Sequence, residues 1–220
     1  MFTHKMLTPQ LWHTMWIVLF LAFGCADRNR RGVRIEQVGY HGLANCYRLS
    51  NDTIDLVVAP QIGRIMRYGF LGQDNMLWEN HAPLPATEIW ANYGGDKVWP
   101  WPQDRWKMRI GRTWPPPTEA DGAAHQARQI GPRTVRLISP ELKGYGVRIL
   151  RDITVASSGS RVTIVSRFEP MGIPVMTDWP AVWSITQVPK PDLAAARRIN
   201  IASDKPFYQE MFPGKWTVVG

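Results

Sequence analysis

The order of apolar and polar positions predicts short β-strands joined by turns. Along residues 161–169, Val162, Ile164 and Phe168 fall on one side of an extended chain, and the charged or hydroxyl side chains fall mostly on the other. A period of two is typical of a sheet with one buried face. Only Leu193–Arg197 has a helical composition. The predicted strands are Asn45–Leu49, Thr53–Val58, Arg64–Phe70, Met76–Trp78, Thr134–Ile138, Val147–Val155, Arg161–Phe168, Trp183–Val188 and Arg198–Ile201.

Polar turn segments between neighbouring strands predict hairpins. Ser50–Asp52, Leu71–Asn75 and Ser157–Ser160 have the Gly, Asn, Asp and Ser content of tight turns. Hairpins make antiparallel sheets, and a sheet with one apolar face needs a second layer to cover it. The 18 Gly and 18 Pro in 220 residues also favour turns over long helices. We therefore predict an all-β fold, an antiparallel β-sandwich over residues 35–220.

Residues 1–24 have the pattern of a targeting segment. The apolar run Met15–Phe23 has the length of a signal-peptide core and is too short to span a bilayer. Gly24 directly before Cys25 resembles the lipobox of bacterial lipoproteins, which implies cleavage before Cys25 and lipid attachment to it. This predicts a membrane-anchored lipoprotein of the cell envelope, on its periplasmic or extracellular face. An uncleaved anchor helix and a plain secretory signal are the alternatives.

The positive charge of the chain does not indicate nucleic-acid binding. The net charge is +8, and residues 25–34 form a basic tether that anionic lipid headgroups would attract; a solvated linker is the alternative. Elsewhere the basic residues are scattered, without the spacing of any nucleic-acid-binding motif. We therefore predict a membrane partner through the lipid anchor and no nucleic-acid partner. Cys46, in an apolar strand, is predicted to be a buried core residue.

Residues 79–122 break the strand pattern. The segment is rich in Pro, which disfavours helices and central strands, and it holds Trp90, Trp99, Trp101, Trp106 and Trp114 out of the 11 Trp of the chain. Disordered segments lack aromatic residues. We therefore predict an ordered loop without regular structure that packs over one end or face of the sandwich.

The stretch Tyr93–Trp106 carries the chemistry of a sugar-binding site. Its indole rings offer flat apolar faces, and short polar side chains alternate with them. Sugars have C–H patches on their ring faces and hydroxyls at their edges, so stacking and charge-assisted hydrogen bonds would both be used. We predict a carbohydrate ligand in a Trp-lined cleft, with polar groups binding hydroxyls or a uronate carboxylate. The alternative is that the rings form core or a protein interface. The candidate residues are Asp96, Lys97, Trp99, Trp101, Gln103, Trp106, Trp183 and Gln187.

Several segments resemble the DUF4380 family. The specific part is Gly94-Gly95-Asp96-Lys97 followed by Trp99. That family is similar to the galactose-mutarotase-like proteins, so the resemblance implies a β-sandwich and a carbohydrate ligand, but it supplies no reaction. The matching segments are Asn45–Asn51, Leu56–Ile65, Tyr93–Pro100, Trp114–Pro117 and Trp183–Val188.

An enzymatic role is an open alternative. Aldose epimerases use a His and a Glu, but after residue 24 this chain has only His41, His81 and His125, none on a later predicted strand. If the protein is a sugar-modifying enzyme, His81 and Asp96 are the first candidates for proton transfer. No nucleophile elbow, phosphate-binding loop or metal-binding His pair occurs, so we predict no cofactor and no metal. Because residues 216–220 are strand-like, we expect a C-terminally incomplete sandwich; a structural lipoprotein is the third alternative.

Overall fold

The computed structural model describes residues 32–80, 90–172 and 179–190. The predicted signal peptide, most of the tether, Cys25 and His81 lie outside the described residues, as do the helix and strand predicted after residue 190. Within the described residues, no helix has the length and apolar character needed to cross a bilayer.

The described strands form two antiparallel sheets, which confirms the predicted all-β sandwich. One sheet is six-stranded, in the order β1-β2-β3-β4-β5-β10, and the other is four-stranded, in the order β6-β7-β8-β9. A short helix, α1 (Trp106–Ile110), and the 3-10 turns Pro60–Ile62 and Gln103–Arg105 lie in connections. The strands are β1 Arg34–Tyr40, β2 Leu43–Ser50, β3 Ile54–Ala59, β4 Arg64–Phe70, β5 Asp96–Trp101, β6 Gln126–Gly131, β7 Thr134–Ile138, β8 Val147–Val155, β9 Val162–Pro170 and β10 Ala181–Thr186.

The main core lies between the two sheets. Leu56 and Val58 of β3 pack with Val135 of β7 and Ile153 of β8, and all are at most 1% exposed. Every residue of β3 is buried because a second apolar cluster, which includes Val57, covers the other face of the six-stranded sheet. That second cluster contains Cys46, so its predicted core position is confirmed.

The prediction of an irregular loop over residues 79–122 was wrong in its central part. Asp96–Trp101 forms strand β5, paired along its length with β10, and α1 follows it. On the side of β5 that faces β4, the two strands pair only through Ile65 and Asp96. Pro100 has no N–H group to donate, but no strand is hydrogen-bonded to it on that side, so the proline is tolerated. Tertiary pairing therefore overrides the strong local signal against a strand.

Most of the other differences between the predicted and the observed strands lie at the edges of the two sheets. Strands β1 and β6 were not predicted, and Met76–Trp78 does not form a strand. The predicted buried face of β9 is incomplete, since Val162 and Phe168 pack against the cores while Ile164 is 38% exposed. Among the described strands β9 is last in its sheet, where a smaller part of each side chain is covered.

Candidate functional site

One face of the β5–β10 pair collects most of the predicted site residues. Lys97, Trp99 and Trp101 alternate along β5 and so point to the same side. Trp183 lies directly opposite Trp99 in the register of the two strands. Gln187, just beyond β10, accepts a hydrogen bond from the Lys97 ammonium, which places it on this side too. Residues separated by about 90 positions are thus brought together by strand pairing.

The accessible rings lie on either side of Trp99. Trp101 is 46% exposed and Trp114 is 49% exposed, whereas Trp183 is half-buried. The centroids of Trp101 and Trp183 are 5.2 Å apart, and those of Trp99 and Trp114 are 5.8 Å apart, both in edge-to-face contacts. Edge-to-face contacts fix the angle of each ring. We call Trp101, Trp114 and Trp183 the indole surface.

Two of the predicted stacking residues are covered. Trp106 is 0% exposed, and its indole N–H donates to the Pro100 carbonyl at 2.9 Å. Trp99 is 7% exposed and donates to Asp121 Oδ2 at 3.0 Å. These rings support the indole surface from beneath and offer little face to a ligand. Gln103, half-buried, begins the 3-10 turn after β5.

Asp121 fastens the Trp-rich segment to the six-stranded sheet. Its carboxylate accepts from the Arg64 guanidinium through Oδ1 and from the indole N–H groups of Trp90 and Trp99 through Oδ2, at 2.9 and 3.0 Å. The side chains of Arg64 and Asp121 are both 0% exposed. Arg64 also donates to the Gly94 carbonyl at 2.6 Å. A buried ion pair with these additional bonds holds the rings in one arrangement.

Lys97 is a buried cation whose hydrogen-bond acceptors, among the described residues, are side-chain amide oxygens. Its ammonium donates to Asn92 Oδ1 at 3.2 Å and to Gln187 Oε1, and it lies 5.3 Å from the Trp99 ring centroid. Lys97 is 1% exposed, and none of the ion pairs among the described residues includes it. Burial, with a smaller contribution from nearby Arg64, lowers the pKa of Lys97 to about 8. The site therefore holds a positive charge at a desolvation cost.

Asp96 lies on the opposite side of β5 from Lys97. Its carboxylate pairs with Arg151 of β8 and accepts from the Thr186 hydroxyl at 2.6 Å. Arg151 also donates to the Asp96 carbonyl at 3.1 Å. These contacts join the two sheets, so the structure does not bring Asp96 to the face that carries the indole surface. Proton transfer by Asp96 would first require this ion pair to open.

Sequence reasoning missed Arg64, Asp121, Asn92 and Trp114. Arg64 is the first residue of β4, directly before Ile65 and Met66, and a charge beside apolar strand residues can signal a buried partner. Nothing in the local sequence identified Asp121 as that partner, because the two lie 57 positions apart. Within the described residues, no group of at least three His, Cys, Asp or Glu side chains is placed to hold a metal ion.

No family model matches the chain, and the searches of curated proteins and of solved structures also give no match.

Proposed function

We propose that this protein is an envelope lipoprotein that binds a carbohydrate, with the indole surface stacking on sugar rings. The proposal rests most directly on the exposure of Trp101 and Trp114, large rings that protein folding usually covers. Trp114 contacts Trp99, whose indole N–H is held by Asp121, and Trp101 contacts Trp183, which in turn contacts Trp99. Rigid aromatic faces lose little conformational entropy on binding, which favours them as stacking platforms.

The face of β5 that carries Trp101 changes from apolar at Trp101 to polar at Lys97. Trp101 and Lys97 are separated by four residues of an extended chain, or about 13 Å. A ligand lying along β5 would therefore meet ring faces near Trp101 and, at the other end, the amide of Gln187, which the buried Lys97 ammonium orients. This order suits a sugar chain, which presents C–H faces and hydroxyl edges together.

The cost of keeping Lys97 buried supports a role in binding. A buried charge without a carboxylate partner destabilises a fold, and replacing such a group with an apolar one is often neutral or stabilising. Proteins retain destabilising groups where function requires them. Lys97 would act through Gln187: by donating to Gln187 Oε1 it orients the half-buried amide, whose NH₂ group could then donate to a ligand oxygen.

Ligand binding by site variants tests the proposal. We expect Trp101→Ala to weaken binding of an oligosaccharide identified on a glycan array by roughly fivefold or more, taking as the scale the about 1–3 kcal/mol that stacking of a nucleic-acid base on one aromatic ring contributes. Lys97→Met should weaken binding, because the Gln187 amide loses the group that orients it, while the protein stays folded. Met108→Ala is the matched control, since Met108 is 64% exposed and lies in α1 outside the indole surface. Equal binding by Trp101→Ala, Lys97→Met and the control would refute the site.

The lipid anchor and the family are separate parts of the proposal. Gly24-Cys25 after an apolar run supports lipidation, and the Gly94–Lys97 segment supports membership of the DUF4380 family. Expression in a bacterial host with labelled fatty acid tests the anchor. We expect label on the wild-type protein and none on Cys25→Ser, with Cys46→Ser labelled as wild type. Label retained on Cys25→Ser would contradict lipidation at this residue.

A further inference from the structure

The first strand begins at the end of the six-stranded sheet that also carries the β2–β3 turn and the turn after β4. Arg34, the first residue of β1, pairs with Ser50, the last residue of β2. Ile54, the first residue of β3, pairs with Phe70, the last residue of β4. We call this the tether end of the sandwich, because the chain that follows the predicted tether enters the fold here.

Turns of the four-stranded sheet lie at the same end. The Asn51 side-chain amide donates to the carbonyls of Ala156 and Gly159 in the β8–β9 turn, at 2.9 and 2.8 Å. The Val155 N–H donates to the carbonyl of Arg133 in the β6–β7 turn at 3.1 Å. The tether end therefore consists of turns from both sheets, held together by hydrogen bonds.

Two neighbouring apolar side chains are exposed at the tether end. Phe70 is 43% exposed and Leu71 is 42% exposed, although Leu71 stands in a turn, where polar residues are usual. The backbone of this turn is fixed, because the Gln73 N–H donates to the Phe70 carbonyl and the Leu71 N–H donates to the Thr53 carbonyl, both at 3.0 Å. We call Phe70 and Leu71 the apolar tip. Adjacent exposed apolar side chains at a fixed position indicate a contact surface, whereas single scattered ones do not.

The charges of the tether end do not select a charged partner. In its turns, exposed Arg133 and Arg161 are offset by exposed Asp52 and Asp74. Recognition by charge would require an excess of one sign at this end. Apolar contact must therefore supply the affinity, and the headgroup boundary of a lipid bilayer takes up side chains such as Phe and Leu.

The lipid anchor determines which end of the sandwich stands nearest the membrane. Nine residue steps separate Cys25 from Arg34. A flexible chain of this length has an average end-to-end distance of roughly 17 Å, and it reaches at most about 30 Å when fully extended. An anchor at Cys25 therefore keeps the tether end close to the bilayer surface, whatever path the intervening residues take.

The indole surface lies at the opposite end. Strand β5 begins with Asp96 opposite Ile65 and is antiparallel to β4, so it runs away from Phe70. Trp101 is five residues beyond Asp96, and Phe70 is five residues beyond Ile65 in the other direction. At about 3.3 Å for each residue, roughly 30 Å separates Phe70 from Trp101.

From these features we infer that the tether end rests on the lipid bilayer, with the side chains of Phe70 and Leu71 in the headgroup boundary and the indole surface directed away from it. The inference rests on the lipid anchor at Cys25 proposed above. It adds a second membrane contact, made by the folded sandwich itself, which sets the direction in which the indole surface points.

A polarity-sensitive dye attached to Leu71→Cys tests this contact in the full chain. The lipidated protein is expressed in a bacterial host, labelled with a nitrobenzoxadiazole maleimide and reconstituted in phosphatidylcholine vesicles. Cys46 is 0% exposed and Cys25 would carry the lipid, so the introduced thiol is the reactive one. The protein without an introduced thiol is the labelling control. Met108→Cys is the matched control, because Met108 is 64% exposed and lies in α1, whose first residue packs against Trp114.

We expect the dye at position 71 to emit at a shorter wavelength than the dye at position 108. It should also lose intensity when the vesicles contain phosphatidylcholine with a doxyl quencher near its headgroup, whereas the dye at position 108 should keep its intensity. Phe70→Cys provides a second position on the apolar tip, with the same expected result, if Leu71→Cys does not fold.

Three outcomes would overturn the inference. The first is equal quenching at the apolar tip and at position 108, and the second is a shorter emission wavelength without quenching, which a contact with another protein would give. The third is an absence of fatty-acid label on the wild-type protein, which would remove the anchor as well. Fatty-acid label on the wild type without quenching at the apolar tip would leave the anchor in place and refute only the orientation.

Discussion

Replacing Asp121 with Asn tests how the Trp-rich segment is held on the sheet. The substitution keeps the size of the side chain but removes its charge and converts one oxygen into an NH₂ group. In the native protein both oxygens accept hydrogen bonds, one from Arg64 and the other from Trp90 and Trp99. The amide of Asn can accept on only one side, so its NH₂ group must face either the guanidinium or the indole N–H groups.

The expected loss of stability is large because the site excludes water. Both side chains of the Arg64–Asp121 pair are 0% exposed, and breaking a buried pair by changing one partner costs about 3–5 kcal/mol. Burial already lowers the pKa of Arg64, and the Asp121 charge opposes that effect. Since whole domains are stable by about 5–15 kcal/mol, Asp121→Asn should remove a substantial part of the total.

Urea denaturation followed by tryptophan fluorescence measures this loss. Glu169→Gln is the control, because Glu169 pairs with Arg148 and both side chains are more than a third exposed, at 37% and 35%, where such pairs contribute at most about 1 kcal/mol. The double variant Arg64→Met, Asp121→Leu removes both charges and should be more stable than Asp121→Leu alone. If Asp121→Asn costs less than 1 kcal/mol, no more than the control, the buried pair does not hold the segment as argued.

Three further outcomes are expected. Burial lowers the pKa of His125 from 6.5 to about 4, so the unfolded chain binds the proton more readily than the folded chain. The free energy of unfolding should therefore fall by up to about 3 kcal/mol as the pH decreases from 6.5 to 4, and a His125→Asn variant should lack this part of the pH dependence. Gly63→Ala would place a Cβ 2.2 Å from His125 Cε1 at a φ of +64°. In Gly111→Ala the φ is +76° but no atom lies within 4 Å, so backbone strain alone should cost about 1–2 kcal/mol of stability, and Gly63→Ala should cost more. Equal losses of unfolding free energy in urea would contradict the clash with His125. Lys97→Met should unfold at pH 7 at a urea concentration equal to or above that of the wild type, and a lower midpoint would show that Lys97 stabilises the fold.

The segment around β5 shows where local reasoning fails. Pro100 and the glycines before Asp96 disfavour a central strand by every local rule, and a loop was the expected result. In the structure β10 pairs with one side of β5 along its length, whereas β4 pairs with the other side only at Asp96. A proline can be accommodated in a strand that is hydrogen-bonded on one side. Once Asp96–Trp101 is a strand, neighbouring residues must point to opposite sides. Asp96 therefore joins the two sheets, while Lys97 faces the indole surface.

The sequence alone determined the class of fold and the region of interest. Alternation with a period of two and polar turns predict an antiparallel sandwich, because these signals depend on residues a few positions apart. The concentration of Trp within residues 79–122 likewise marked the segment that carries the candidate site.

Which of those rings are accessible and which charges are paired follows from tertiary packing. Trp106 and Trp101 are five positions apart, yet one is completely buried and the other is 46% exposed. Arg64 meets Asp121 across 57 positions, and Lys97 meets Gln187 across 90. Burial and electrostatic pairing depend on distance in space, and strand pairing sets that distance between residues that share no local pattern in the chain.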